Sequence, residues 1–490
     1  MLEEKPIISK FLYIFNYIFI PMMDRRFYRW VFTATIITLI VLAQIGVLSS
    51  PSSDKNERVI KIALYPLKTG SDNFLKQTFN YAWCANGKLY RFDVHVLTFE
   101  EIRSKDFYSN LKNYDVFIAG ASYLSYLVDG KSDVFKKSIE RFLSDGGGFY
   151  GVCAGAFLAS QGYENPDNWF EKETNKGVLR IANVYLNCDF DGELQYLLKE
   201  ASWLNPRFGQ IPIEVKVNKS SPIPIFKPFK KEVFNISYGG GAGLYIADSK
   251  DSRLGKIYPL LIYNEELMET KPIHFWKRAL IGWKKGETIK TDLKGDYAMI
   301  ATTFNNSGRI VLISSHPEIP VMLNGTIVEF FGRNTLGIPR IVYAWYNGTR
   351  LNISKNLWIH RRVVAWLAKV PDEDLPPIEE AIALISKPTS KPFYGIYIND
   401  KKFISSKFLT RILSKLGMSI IVGKITVVVY AEGIERIEFL LDNEMKFIDY
   451  NPPFEWKIEE PIRGRHSIKV IAYSNETGSF VWDEGHYLFI

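Results

Sequence analysis

The sequence predicts an α/β protein built on a parallel sheet, with a membrane-spanning helix before it and an all-β sandwich after it. Three observations carry this prediction. Apolar strands alternate with helical segments between residues 59 and 152, a cysteine framed by glycines follows one of these strands, and short alternating strands fill residues 394–490. Alternation of strand and helix is typical of parallel sheets with helices on both faces.

The N-terminal part, residues 1–57, is predicted to be a cytoplasmic tail and a membrane anchor. Residues 30–48 are 19 residues without a charge, about 28 Å as a helix and close to the ~30 Å hydrocarbon thickness of a bilayer. Arg25, Arg26 and Arg29 precede this run, so the chain after it is expected outside the cytoplasm. We therefore predict a cell-membrane protein, with membrane lipid as the partner of this helix.

Alternatives stay open for this region. The apolar stretch at residues 11–23 either lies in the membrane interface or spans the bilayer as a second helix. A cleaved signal peptide competes with the anchor, although the apolar run exceeds the roughly 7 to 15 residues usual in such signals. Asn-x-Ser/Thr sequons agree with an outside location. They begin at Asn218, Asn235, Asn305, Asn324, Asn347, Asn352 and Asn475.

Residues 58–370 are predicted to form the α/β domain. Residues 59–64, 92–97 and 114–119 are apolar runs suited to buried parallel strands, and residues 73–85 are predicted to be the helix after the first strand. Parallel strands end at a common edge of their sheet, and open α/β sheets build their sites at that edge.

The glycine-rich stretch around Cys153 predicts a mounted nucleophile. An apolar strand ends at Val152, and Gly151 and Gly155 frame the cysteine in a pattern that suits a strained strand-to-helix turn. The thiol is then expected at the N-terminus of a helix over residues 154–161, where the dipole favours the thiolate. The alternative is a buried cysteine that only fills space.

A proton shuttle for that thiol is predicted at His316. Residues 309–314 form a β-branched apolar run, so His316 is expected at the carboxyl end of a buried strand. Glu318 is two residues further on and is placed to orient the imidazole and to stabilise its protonated form. The alternative for a His-Pro pair is an ordinary loop.

Two segments of this region resemble a known family. The segments GGGFYGVCAGAFLAS and GRIVLISSHPE are similar to the class I glutamine amidotransferase-like superfamily, most closely the branch named for the N-terminal domain of biotin protein ligase. The resemblance covers residues 58–370 in patches. It implies a flavodoxin-like parallel sheet with a nucleophile elbow, and a catalytic triad formed by Cys153, His316 and Glu318.

The same resemblance implies an oxyanion hole and a pocket. The oxyanion donors fall on Ala154 and on the turn at Gly120-Ala121, where the family has two adjacent glycines and this chain has alanine second. The segment Tyr238-Gly239-Gly240 resembles a pocket-lining segment of that branch. A hairpin or loop that needs positive φ explains those glycines equally well.

Further segments complete the predicted organisation. About 160 residues separate Cys153 from His316, which indicates an inserted lobe, and residues 360–370 are predicted to form a closing helix. Residues 371–393 contain three prolines in their first seven positions and are predicted to be a linker. Residues 394–490 resemble the immunoglobulin-like modules of prokaryotic surface proteins, a β-sandwich.

Composition excludes several classes of function. The net charge is +8, but no concentrated basic motif is present, so a nucleic-acid partner is not expected. No nucleotide-binding glycine motif and no spaced His/Cys cluster occurs, so neither a cofactor nor a metal is expected. Of the three cysteines, Cys84 and Cys188 either pair in an oxidising exterior or remain separate buried thiols.

These observations together predict a membrane-anchored, extracytoplasmic cysteine hydrolase of the Cys-His-Glu type, acting on an amide or a related acyl bond. An envelope peptide or glycan is the expected partner. The alternative is a surface binding or scaffold protein that keeps the same fold without turnover.

Overall fold

The computed structural model describes most of the chain after residue 55. The described residues are 56–66, 71–187, 211–271, 274–278, 283–288, 291–323, 326–333, 339–346, 349–350, 354–388, 394–404, 407–474 and 476–490. Residues Lys55–Ile490 form one compact unit.

Strands dominate the described residues. In chain order they are β1 Glu57–Leu64, β2 Tyr81–Ala85, β3 Lys88–Val96, β4 Val116–Ala119, β5 Gly148–Val152, β6 Val184–Asn187, β7 Ile211–Val217, β8 Val233–Tyr238, β9 Gly243–Ile246, β10 Tyr258–Tyr263, β11 His274–Arg278, β12 Trp283–Thr288, β13 Tyr297–Phe304, β14 Gly308–Ile313, β15 Met322–Leu323, β16 Thr326–Arg333, β17 Pro339–Tyr346, β18 Thr349–Arg350, β19 Ile382–Lys387, β20 Ile396–Ile398, β21 Lys401–Ile404, β22 Met418–Val422, β23 Ile425–Glu432, β24 Arg436–Leu441, β25 Glu444–Asp449, β26 Phe454–Ile458, β27 Gly464–Tyr473 and β28 Phe480–Phe489.

The helices lie mainly in the first half of the unit. They are α1 Ser71–Thr78, α2 Phe99–Arg103, α3 Phe107–Leu111, α4 Tyr123–Asp129, α5 Asp133–Ser144, α6 Ala154–Ala159, α7 Trp169–Gly177, α8 Leu267–Thr270, α9 Leu357–Leu367 and α10 Lys407–Leu416.

Five parallel strands bring the predicted site residues to one edge of a large mixed sheet. β1 lies between β3 and β4, β4 pairs with β5, and β5 pairs with β14. In the last pair Val152 is opposite Ile313. Both of these residues end their strands, so the segments that follow β5 and β14 emerge side by side.

Antiparallel strands extend this sheet on both sides. On one side β13, β10, β7 and β8 follow β14 in antiparallel pairs. On the other side β2 pairs antiparallel with β3 and with β28, the last strand of the chain. The sheet therefore runs without a break into the C-terminal region.

The predicted α/β, flavodoxin-like fold is wrong for the chain as a whole. Within the residues that the structure describes, strands predominate over helices. Parallel strands are present near the predicted residues 59–64, 92–97 and 114–119. The residues between Cys153 and His316, however, add antiparallel strands to the same sheet, and so do the residues after 370.

The helix predicted over residues 73–85 is also partly wrong. The helix α1 ends at Thr78, and β2 begins at Tyr81. Asn86 and Gly87 have φ values of 47° and 73°, which makes a tight turn that returns the chain as β3. The second half of the predicted helix is therefore one arm of a β-hairpin.

Two apolar clusters cover the faces of the parallel strands. Ile60, Ile62 and Tyr150 belong to one cluster together with the buried residues of α9, whereas Phe117 and Phe149 belong to the other with those of α5. Successive side chains of a strand point to opposite faces. Tyr150 consequently lies on the face that α9 covers.

The C-terminal region contains two sheets that share an apolar core. β19, β23 and β26 form a three-stranded sheet, and β24, β25, β27 and β28 continue the large one. Val427 of the first sheet and Ile468 and Val470 of the second are fully buried in the same cluster. Strands lie where the sequence predicted them after residue 424, and β19 lies within the predicted linker. The predicted domain boundaries stay a prediction.

The structure contradicts the predicted single-pass membrane protein. In the part of the chain that the structure describes, no helix combines the length and the apolar character needed to cross a bilayer. Residues 30–48 and 11–23, on which that prediction was based, lie outside the described residues.

Candidate active site

Cys153 occupies the turn between β5 and α6 in a strained backbone conformation. Its φ is 51° and its ψ is −111°, outside the regions that residues with a side chain ordinarily adopt. The backbone N–H of Cys153 donates a hydrogen bond of 2.8 Å to the carbonyl of Ile313. The end of β14 therefore helps to hold the strained turn.

Close packing explains the glycines that frame this turn. A Cβ on Gly155 would lie 1.9 Å from the carbonyl oxygen of Ala119, and a Cβ on Gly151 would lie 2.6 Å from the carbonyl oxygen of Gly155. These separations are far below van der Waals contact. Small residues thus allow α6 to approach the carboxyl end of β4.

His316 and Glu318 follow β14 and form a buried pair. The backbone N–H of His316 donates to the carbonyl of Ser237, at 2.9 Å. The Nδ1 atom of His316 is 2.7 Å from Oε1 of Glu318. The exposed fractions are 4% for His316 and 3% for Glu318, against 8% for Cys153.

The charges of this cluster favour a protonated imidazole. Burial alone lowers the pKa of His316, but the negative charges of Cys153 and Glu318 and the hydrogen bonds to both raise the pKa well above its usual value. Since Nδ1 faces Glu318, Nε2 is the imidazole nitrogen left available to Cys153. Burial also opposes ionisation of Glu318, yet the two histidines beside it hold its pKa well below the ordinary value.

A second histidine, which the sequence did not single out, supports Glu318. The Nε2 atom of His360 is 3.0 Å from Oε2 of Glu318, and the Nδ1 atom of His360 is 2.8 Å from the hydroxyl of Tyr150. His360 and Tyr150 are fully buried. The sequence placed His360 only in a closing helix, α9. The available signal was a run of three polar residues, 360–362, inside an otherwise apolar helix.

The predicted oxyanion donors lie at the same edge of the sheet. Ala154 is the first residue of α6, and Gly120 directly follows β4, the neighbour of β5. The carbonyl of Gly120 accepts a hydrogen bond of 2.8 Å from the hydroxyl of Tyr126. That bond fixes the peptide between Gly120 and Ala121. Tyr126 is a second residue that the sequence did not single out.

Tyr238 ends β8, and Gly239 and Gly240 follow it. The preceding residue, Ser237, pairs with His316 in an isolated β-bridge. Tyr238 is buried, and its ring lies 6.5 Å from that of Tyr263 in an edge-on arrangement. Gly240 has a φ of 81°, as a turn between β8 and β9 requires. The structure therefore brings this segment near the site and also supplies the turn that was the alternative explanation.

Other candidate positions do not join this site. Cys84 is exposed on β2, and Cys188, its partner in one of the two alternatives, lies outside the described residues. A cleft of about 290 Å³ opens at the opposite ends of the parallel strands, beside Arg58, Gly146 and Lys369. Within the described ranges, no three His, Cys, Asp or Glu side chains are grouped as metal ligands would be.

The geometry thus defines a buried cysteine–histidine–carboxylate cluster at a sheet edge. No protein-family model and no curated protein matches the chain. Among solved structures, fibronectin(III)-like modules of Clostridium thermocellum CbhA align with 15% of this chain and 85% of their own, at 26% identity and a TM-score of 0.14. A lytic polysaccharide monooxygenase of Jonesia denitrificans aligns with 15% of this chain and 58% of its own, at 8% identity and a TM-score of 0.14. Likenesses this small do not define a family for the chain.

Proposed function

We propose that the chain is a hydrolase of amide or related acyl bonds in which Cys153 is the nucleophile, His316 the general base and acid, and Glu318 the residue that orients His316. The backbone of Cys153 is the observation that carries this proposal. A non-glycine residue with φ 51° and ψ −111° is costly and persists where the surroundings enforce it, typically at functional sites. The turn that adopts it follows β5, and His316 follows the paired strand β14.

The residues can complete a balanced acyl transfer. His316 first accepts the thiol proton, as the raised pKa of its imidazole favours, and the sulfur of Cys153 then bonds to the acyl carbon. Collapse of the tetrahedral intermediate breaks the bond to the leaving group, which receives that proton from His316. Water then attacks the thioester and gives a proton to His316, which returns it to the sulfur as the carboxylic acid leaves.

In this proposal, backbone N–H groups at the sheet edge stabilise the intermediate. The N–H of Ala154 belongs to the first residue after the nucleophile, and Ala121 lies in the turn that Tyr126 fixes. Preorganised N–H groups of this kind stabilise the negative oxygen of a tetrahedral intermediate without reorganising during the reaction. Peptide amides and thioesters are the first substrate classes to test.

A cysteine-directed probe tests this proposal without a known substrate. The full chain is treated with an iodoacetamide probe, and labelling of Cys153 and Cys84 is followed separately by peptide mass spectrometry. We expect Cys153 to label faster than Cys84 although Cys84 is exposed and Cys153 is 8% exposed. Cys153→Ala should abolish hydrolysis of an acyl reporter, and the matched variant Cys84→Ala should retain it. Equal hydrolysis by the Cys153→Ala variant and the parent would refute the proposal.

The burial of the cluster favours one second candidate, a binding or scaffold protein that keeps the site without turnover. Cys153 and His316 expose only 8% and 4% of their surfaces. Because the sulfur is nearly covered, an acyl substrate has little room to reach it, and this favours a protein without turnover. This candidate predicts that Cys153 labels more slowly than Cys84 and that no acyl reporter is hydrolysed.

A further inference from the structure

Glu318 uses both carboxylate oxygens inside the protein. One oxygen contacts His316 at 2.7 Å, and the other contacts His360 at 3.0 Å. All three side chains are at least nine-tenths buried. A buried carboxylate that is held from two sides cannot rotate without losing one of its contacts, so the position of His316 depends on His360 as well as on Glu318.

The ionised carboxylate of Glu318 accepts from Nε2 of His360, and the hydroxyl of Tyr150 faces the other ring nitrogen. Burial and the charge of Glu318 raise the pKa of Tyr150 well above its usual value, so the hydroxyl keeps its proton. The hydroxyl lies 2.8 Å from Nδ1 of His360 and can donate its hydrogen to it. A neutral imidazole with an accepting Nδ1 carries its hydrogen on Nε2, which donates to Glu318. A neutral His360 therefore satisfies both neighbours.

The supporting elements make this chain of contacts rigid. Tyr150 lies on β5, three residues before Cys153, and His360 lies in the middle of α9, every residue of which is buried. The ring of Phe79 packs edge-on against His360, with ring centroids 6.4 Å apart. The contacts run from His316 through Glu318 and His360 to Tyr150 on β5, the strand that carries Cys153.

We propose that His360, held by Tyr150, is a positioning residue that fixes the Glu318 carboxylate and through it the catalytic imidazole of His316. This role rests on the proposed hydrolase function. His360 touches neither the substrate nor the reacting atoms in this scheme. Its contribution is made entirely through Glu318, and this is the property that separates it from a residue that only packs α9.

A double-mutant cycle on the full chain tests that property. The rate of Cys153 labelling by iodoacetamide at pH 7 is measured by peptide mass spectrometry. We expect His360→Leu to lower this rate about tenfold, as the loss of one charge-assisted hydrogen bond would. In a Glu318→Gln background the same substitution should cause less than about a twofold further loss. Multiplicative losses in the double variant would overturn the proposal.

Conservative variants separate positioning from packing. His360→Gln keeps an N–H donor for Glu318 and should recover the rate to within about threefold of the parent. Tyr150→Phe removes only the hydroxyl, so it keeps the proposal falsifiable if His360→Leu does not fold, and it should lower the rate. The matched control Ile359→Val, at the neighbouring buried position of α9, should leave the rate unchanged.

The outcomes distinguish the two proposals. If the parent labels Cys153 no faster than Cys84, the hydrolase proposal fails and the positioning role fails with it. If the parent labels rapidly but His360→Leu and Tyr150→Phe label at the parental rate, only the positioning role is refuted.

Discussion

The backbone N–H of Cys153 donates to the carbonyl of Ile313, so the turn that carries the thiol is bonded to the strand that leads to His316. The register of β5 and β14 places Val152 opposite Ile313 directly before these two segments diverge. The relative position of the two segments thus depends on this strand pair, together with the bond from His316 to Ser237 of β8. Changes that disturb the β4–β5–β14 edge should affect reactivity even where they leave the three side chains intact.

Gly155→Ala is expected to disturb this edge directly. The new methyl group would lie 1.9 Å from the carbonyl oxygen of Ala119, so α6 or the end of β4 must move. We expect a loss of about 1–3 kcal/mol in the free energy of unfolding, as for other overpacked positions, and slower labelling of Cys153. Denaturant unfolding and the probe assay measure these two effects.

Gly177→Ala is the matched control for that substitution. A Cβ there meets its nearest atom, the carbonyl oxygen of Tyr126, at 3.3 Å. The carbonyl of Tyr126 has to move by only a few tenths of an ångström. The losses in stability and in the labelling rate of Cys153 should therefore be much smaller. Equal losses for the two variants would show that the Gly155–Ala119 contact is not special.

Glu318→Gln should change how stability depends on pH. In the folded protein the adjacent histidines outweigh burial and hold the pKa of Glu318 well below its ordinary value, which is about 4.3 in an unfolded chain. The carboxylate's contribution to stability is therefore complete above about pH 4.3 and is lost as the pH falls toward the folded pKa. The parent should lose up to about 1.4 kcal/mol per pH unit in that range from this group alone.

Denaturant unfolding between pH 3 and pH 6 measures this effect. The difference in stability between the parent and Glu318→Gln should narrow as the pH falls through the acid range, because glutamine does not titrate. Glu435→Gln, at an exposed position of the C-terminal region, is the control and should keep the parental slope. A constant difference between the parent and Glu318→Gln across the range would contradict the assigned pKa direction.

The juxtaposition of Cys153 and His316 was predictable because each follows an apolar run long enough for a buried parallel strand. The fold around them was not. Ile211, Ile213 and Val215 alternate with other residues as a strand requires, yet that pattern does not indicate which strand they pair with. Pairing of β7 with β10 and β8 depends on contacts between distant segments. The sequence therefore did not predict the antiparallel strands of the mixed sheet.

Two local features explain other differences between the prediction and the structure. The pair Asn86-Gly87 is typical of a hairpin turn, and the hairpin forms although the preceding residues have a helical pattern. His360 belongs to a run of three polar residues in an apolar helix, but nothing in the sequence indicates Tyr150 as its partner. Only the packing of α9 against β5 brings their side chains together.

Arg361 is predicted to be a major stabilising residue of α9. It is fully buried, donates to the carbonyls of Thr78 and Ala381, and lies 4.0 Å above the ring of Tyr81. Arg361→Met fills similar space but leaves these carbonyls without their charged donor, so we expect a loss of about 2–4 kcal/mol in the free energy of unfolding. Arg465→Met, at an exposed position, should change it by less than about 0.5 kcal/mol. Thermal and denaturant unfolding measure both, and equal effects would contradict the prediction.

Glu379 is predicted to couple the C-terminal strands to the sheet that contains the candidate site. Its carboxylate accepts hydrogen bonds from Tyr81 on β2 and from Thr477 and Ser479 next to β28. β2 and β28 pair directly, so residues Lys55–Ile490 should unfold in one transition.

Glu379→Ala removes the shared acceptor and should lower the free energy of unfolding by about 2–4 kcal/mol, because three hydroxyls lose their charged partner at once. Glu380→Ala is the control, since that neighbouring carboxylate forms a half-exposed pair with Lys355 and should contribute less than about 1 kcal/mol. Two separate transitions in the parent, followed by tryptophan fluorescence and by circular dichroism, would show instead that the C-terminal strands fold independently of the site.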